Sequence, residues 1–181
     1  MFIYERNETS DRTLDNWINK FDLYCDKSIL ISSFQMMFFG GWTVSSLFLP
    51  SLGDKYGRKK VFLPCVFVNM ICFVIPMVLP AKHDMVYIII GMQFINGMRT
   101  GGMMPIGYAL LLESLPLRSQ TFYGTFWMML DGSTYIFLTI YYRYKSHYWI
   151  NTFYFGLTMQ TIGFLGVMFI VPESPRWLYN Q

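Results

Sequence analysis

The chain has 181 residues, of which 54% are hydrophobic, 19% aromatic and only 14% charged. An average soluble domain carries about 25% charged residues. This chain has too few to cover a water-facing surface, and its excess apolar residues lie in long blocks, which excludes an ordinary cytosolic enzyme and a disordered polymer. A net charge of +3 is too small to point to nucleic acid, and the three cysteines, Cys25, Cys65 and Cys72, make neither a disulfide framework nor a zinc site. The sequence holds no P-loop, dinucleotide fingerprint, His-Glu-x-x-His or Ser-centred elbow, so no catalytic residue, metal or cofactor is expected.

Residues 1–27 are polar and mix four basic with six acidic side chains. They lack the basic start and apolar centre of a signal peptide. Leu14, Trp17, Ile18 and Phe21 recur at helical spacing and predict a short amphipathic helix lying on a surface. Asn7-Glu8-Thr9 is a glycosylation acceptor if this end faces a lumen.

Residues 28–53 carry no charge until Asp54. At about 1.5 Å per residue they would extend roughly 39 Å, enough to cross a ~30 Å hydrocarbon layer with some tilt. Similar runs follow at 61–81, 85–112, 119–142 and 146–172, interrupted only by Arg99 and Asp131. None alternates with period two, and each is longer than the ~9–11 residues of a membrane barrel strand. The expectation is therefore an all-α membrane protein: five transmembrane helices within 28–172, a polar extracytoplasmic tail over 1–27 and a cytoplasmic tail over 173–181.

The segment from Asp54 to Lys60 packs Lys55, Arg58, Lys59 and Lys60 into one short loop. Short basic loops stay in the cytoplasm, which puts the N-terminus outside and the C-terminus inside. Helix three is rich in glycine, and Gly97 and Gly101 form a Gly-x-x-x-Gly pair suited to close helix contact. Pro105 follows one turn later and predicts a bend. Cys65 and Cys72, seven apart on one face of helix two, read as packing residues.

Arg99 and Asp131 fall near the midplane, where a charge costs about 2.5–3.5 kcal/mol on insertion scales. They would either pair with each other across neighbouring helices or line a pathway and meet a charged substrate or a proton. Trp127, one turn before Asp131, has Phe126, Tyr123 and Phe122 close by, while helix one carries Phe38, Phe39 and Trp42. Aromatic faces near an acid suit an organic cation; lipid-facing or packing aromatics are the simpler reading.

Three stretches together resemble the major facilitator superfamily, and within it the organic cation/anion transporter family. Gly53-Asp54-Lys55-Tyr56-Gly57-Arg58-Lys59-Lys60 is similar to the loop between the superfamily's helices two and three. Pro172-Glu173-Ser174-Pro175-Arg176-Trp177-Leu178 resembles the family's signature after helix six, and Phe21-Asp22-Leu23-Tyr24-Cys25 the end of its large outer loop. Glu113 and Arg118 match the acid and base between family helices four and five. Two positions depart from the pattern: Pro50 stands where a glycine is expected, and Gln93 where an arginine is common.

The resemblance implies family helices two to six, an incomplete N-terminal bundle of a rocking transporter, with the family's first helix and its C-terminal bundle without counterparts. It implies that Asp54, Gly57, Arg58, Lys59, Glu113, Arg118, Glu173 and Arg176 form a charge network biasing the transport cycle, because ion pairs at a closing interface differ in energy between two states. Without the resemblance, the basic loop reads as a topological anchor. The pathway candidates are Gln35, Arg99, Tyr108, Trp127 and Asp131. The expected partners are the lipid bilayer, a small organic ion and a second bundle or another membrane chain. The expected location is the plasma membrane. The alternative is a transporter-like structural subunit of a larger membrane complex that moves nothing.

Overall fold

A computed structural model describes residues 28–80, 85–145 and 148–179, and these are helical apart from turns and short links. The expected amphipathic segment and Asn7 lie outside the described residues. Among the described residues seven helices follow one another: α1 (Ser28–Ser46), α2 (Leu49–Tyr56), α3 (Arg58–Val78), α4 (Val86–Glu113), α5 (Leu117–Tyr144), α6 (Trp149–Phe169) and α7 (Pro175–Tyr179).

The expected single span over 28–53 is two helices. Pro50 has no N–H to donate, and its ring would collide with the carbonyl of Ser46 if one helix ran through. The chain turns instead at Leu47 and Phe48, where Leu47 N donates to Val44 O and Phe48 N to Ser45 O. The helix then restarts with Pro50 in its first turn, where a missing N–H costs nothing. The short basic loop also proves to be helical. α2 carries Asp54, Lys55 and Tyr56, α3 starts at Arg58, and Gly57 alone makes the corner. Pro105, by contrast, sits inside α4 without interrupting it.

α4 is the central helix and packs along both α1 and α3, while α3 also packs on α6. Small residues set the α1–α4 approach. A Cβ on Gly41 would run into the Phe94 carbonyl, one on Gly97 into that of Phe38, and one on Gly101 into Ser45 and Trp42. The Gly-x-x-x-Gly pair therefore serves backbone contact, as such pairs do between membrane helices. Cys65 is buried and free, and Cys72 is half-buried and free. At one end of the bundle Phe34, Val86, Ile89 and Ile90 form the apolar core, with Leu30, Leu79 and Met85 against it. Phe73 from α3 and Phe153 from α6 meet there, ring centroids 5.2 Å apart.

The outer helices bury little. Gly124 is the one buried residue of α5, and Trp149 that of α6. Exposed large apolar side chains such as Phe126, Ile136, Phe155 and Ile162 cover the flanks, far beyond the scattered apolar residues of a water-soluble surface. Among the described residues two helices, α3 and α6, are long and apolar enough to cross a membrane by length and composition alone. α4 and α5 are longer, at 28 residues each, but glycines and polar residues (Gln93, Asn96, Arg99; Gln120, Asp131, Ser133) dilute their hydropathy.

Candidate functional site

At the end opposite the apolar core, four helix termini and α7 converge on the Asp54–Lys60 corner. The corner itself dictates much of the arrangement. Gly57 has φ +107, a conformation that side-chain-bearing residues rarely adopt. It also precedes α3 directly and so offers that helix no capping side chain. The first amides of a helix must find acceptors elsewhere, and an anion there is favoured by the helix dipole. Glu173 supplies it: its Oε1 accepts from Lys59 N at 2.8 Å and from Ser174 N at 3.1 Å. The carboxylate lies so close that a Cβ on Gly57 would stand 2.8 Å from Oε2. Glycine is thus required here both by the backbone and by the room the carboxylate takes.

Lys59 makes the reciprocal contact. Its Nζ donates to Met168 O at 2.9 Å and Val171 O at 2.7 Å. It therefore places a cation at the end of α6, on Met168 O of its last turn and Val171 O just past it, the negative end of that helix. One acid and one base, 114 residues apart, cap opposite ends of the two helices.

Arg58 reaches the other way. Its guanidinium lies 3.0 Å from Glu113 at the end of α4 and 3.1 Å from Asp54 one turn back on α2. The two pairs differ in setting. Arg58 and Glu113 are 19% and 14% exposed, whereas Asp54 is 68% exposed. Glu113 also accepts from the hydroxyl of Ser174, which is fully buried. Ser174 Oγ in turn accepts from Trp177 N at 3.3 Å, capping α7, with Pro175 at its first position. The Trp177 indole donates to Lys55 O at 3.1 Å, and Lys60 Nζ stands 4.7 Å above its ring. α7 is thus a clip across the corner.

The structure brings together Asp54, Gly57, Arg58, Lys59, Glu113 and Glu173. Arg118 is exposed at the start of α5 and joins no ion pair among the described residues. Arg176 belongs to α7, but its side chain lies outside the described residues. Sequence reasoning missed Ser174, Trp177 and Lys60. A Ser-Pro pair followed three residues later by Trp177 is a legible helix start, and Ser174 could have been found from it.

The pathway candidates are dispersed. Arg99 donates through Nε to Asn96 Oδ1 at 2.8 Å, and its NH1 approaches Met103 Sδ at 3.7 Å. Of the two readings of Arg99 and Asp131, the mutual ion pair is absent among the described residues. α4 and α5 meet where Gly124 admits the Tyr108 hydroxyl, and residues 125–132 of α5, Asp131 included, are all exposed. Arg99 finds its partners on its own helix instead. Gln35 is exposed on α1. Trp127 alone of the five borders a cavity of about 520 Å³ between α3, α4 and α6. The aromatic residues of α1 and α5 stack among themselves, as Phe39 does on Trp42 and Phe122 on Phe126.

Exposed apolar outer helices, a glycine-lined inner contact and a charged seam at one end fit the class of multi-helix integral membrane proteins. The family model described as "Sugar (and other) transporter" matches residues 1–181, and the chain belongs to that family. The chain is 28% identical over 177 residues to the "Organic cation transporter protein" of Drosophila melanogaster, covering 98% of this chain and 30% of that protein. It is 24% identical over 177 residues to a Drosophila "Organic cation transporter-like protein", with the same coverage. It is 26% identical over 165 residues to mouse "Solute carrier family 22 member 2", covering 91% of this chain and 29% of that one. The resemblance to the major facilitator superfamily and its organic cation transporters is thus borne out. The chain spans about a third of the length of the curated relatives it matches.

Proposed function

We propose that this chain works in transmembrane transport of small organic ions by alternating access, as one part of a two-bundle transporter in the plasma membrane, rather than in catalysis. The charged corner carries the reading. A topological anchor needs only positive charge near the membrane surface. Here acids and bases are paired across helix ends that are far apart in sequence. Such pairs bias a two-state equilibrium when their energies differ between the states. Asp54 is the member best suited to change partner, since it is exposed and held by one contact from Arg58.

In this reading the corner faces the cytoplasm and the N-terminal tail lies outside. Helices α1, α4 and α5 face the pathway, with Gln35, Arg99, Tyr108, Trp127 and Asp131 as its candidate lining. A second bundle, or another membrane chain, would form the opposite wall.

The test is uptake of tetraethylammonium by cells expressing the protein in its native genetic context, against the same cells carrying Asp54→Ala. Transport predicts saturable uptake whose maximal rate changes several-fold in the variant at unchanged membrane abundance. Absence of uptake, with the chain purifying as a fixed member of a large membrane assembly, would favour the structural-subunit reading instead.

A further inference from the structure

The charged corner holds two cations that its ion pairs leave over. Arg58 is taken by Glu113 and Asp54, and Lys59 by the carbonyls at the end of α6. Lys55 and Lys60 are exposed and join no ion pair among the described residues. Each is set against an aromatic ring instead. Lys55 Nζ lies 5.3 Å from the centre of the Tyr56 ring, and Lys60 Nζ 4.7 Å from that of Trp177. Trp177 ties the two into one patch, because its indole also donates to Lys55 O at 3.1 Å. An ammonium over a ring keeps its full charge, so neither lysine is neutralised. Beside them Tyr56, Leu178 and Tyr179 are 53%, 57% and 91% exposed. Lys60 also lies in the first turn of α3, a helix long and apolar enough to cross a membrane.

We propose that Lys55, Lys60 and Trp177 bind the headgroup of an anionic phospholipid. A dissolved anion would use the two cations but not the exposed aromatic and apolar rim. A phospholipid uses both: its phosphate meets the lysines, while Tyr56, Leu178 and Tyr179 sit at the boundary between headgroups and acyl chains, where aromatic side chains are favoured. Basic residues clustered beside a membrane helix attract the anionic lipids of the cytoplasmic leaflet. The choice of leaflet rests on the cytoplasmic placement of the corner proposed above; the site itself does not depend on transport.

The test is native mass spectrometry of the protein purified from its native genetic context in detergent, titrated with phosphatidylserine or with phosphatidylcholine of the same acyl chains. In detergent both faces meet lipid, so the outcome is independent of orientation and of uptake. Phosphatidylserine should bind several-fold more tightly than phosphatidylcholine. Lys55→Gln and Lys60→Gln should each weaken it about fivefold, the share of one basic residue beside anionic lipid, and the double variant should lose the preference. Both side chains are exposed, so the fold accepts the changes. Arg118→Gln removes another exposed cation at the same end and should leave binding unchanged. Glycerophosphoserine, the headgroup without its chains, should not compete. Equal binding of the two lipids, or a loss in Arg118→Gln as large as in Lys60→Gln, would overturn the inference. So would competition by glycerophosphoserine, which would assign the patch to a dissolved anion.

Discussion

At the scale of single residues, the charged corner separates roles that the sequence presents alike. Asp54 and Glu113 are both acids within 3.1 Å of Arg58, but Glu113 is mostly buried and Asp54 is not. An exposed pair contributes about 0–1 kcal/mol, whereas a buried hydrogen-bonded charge contributes ~1.5–3 kcal/mol. Asp54→Asn should therefore leave thermal unfolding in detergent almost unchanged, while Glu113→Gln lowers the midpoint clearly. Equal effects would show that Arg58 does not distinguish its two partners. Gly57→Ala should cost about 1–3 kcal/mol from its backbone angle alone, and more from the Glu173 carboxylate beside it. A shift no larger than that of an exposed control substitution would contradict this. Composition and motif pointed to the corner, but not to its wiring. The sequence marks Glu173 and Lys59 as charged, and only the folded chain reveals that each finds backbone groups at the end of a distant helix.

At the scale of elements, polar content and proline decide where sequence and structure part. The uncharged run over 28–53 reads as one span, yet Pro50 cuts it at Leu47–Phe48. The proline was visible beforehand, but the apolar run around it hid the break. The glycines of α4 were legible as a contact stripe, though their partner was not: α1 fills that place through Gly41 and the Phe38 carbonyl. Gly97→Leu should force the two helices apart. Overpacking alone costs about 1–3 kcal/mol, and the collision here is with backbone. Faster proteolysis within α1 of the variant in detergent would be the signature, and an unchanged digestion pattern would contradict the contact. Periodicity could not choose between a mutual Arg99–Asp131 pair and two pathway residues. A pair requires Asp131 to face α4, and residues 125–132 of α5 are all exposed.

At the scale of the whole molecule, two ends of one bundle are built on different physics. One is closed by apolar packing around Phe34 and Val86, and the other by capped helix termini and ion pairs at the Gly57 corner. Apolar contacts change little between conformations that keep them buried, whereas exposed charge pairs can exchange partners at small cost. That asymmetry is what a rocking transporter would use, with the corner as its adjustable side. The most direct measurement is the reactivity of a cysteine at the corner. Asp54→Cys in sealed membranes should react with an impermeant maleimide from the cytoplasmic side, above the background of the three native cysteines. The rate should change several-fold when tetraethylammonium is added. Labelling from the opposite face, or a rate indifferent to the ion, would contradict the account.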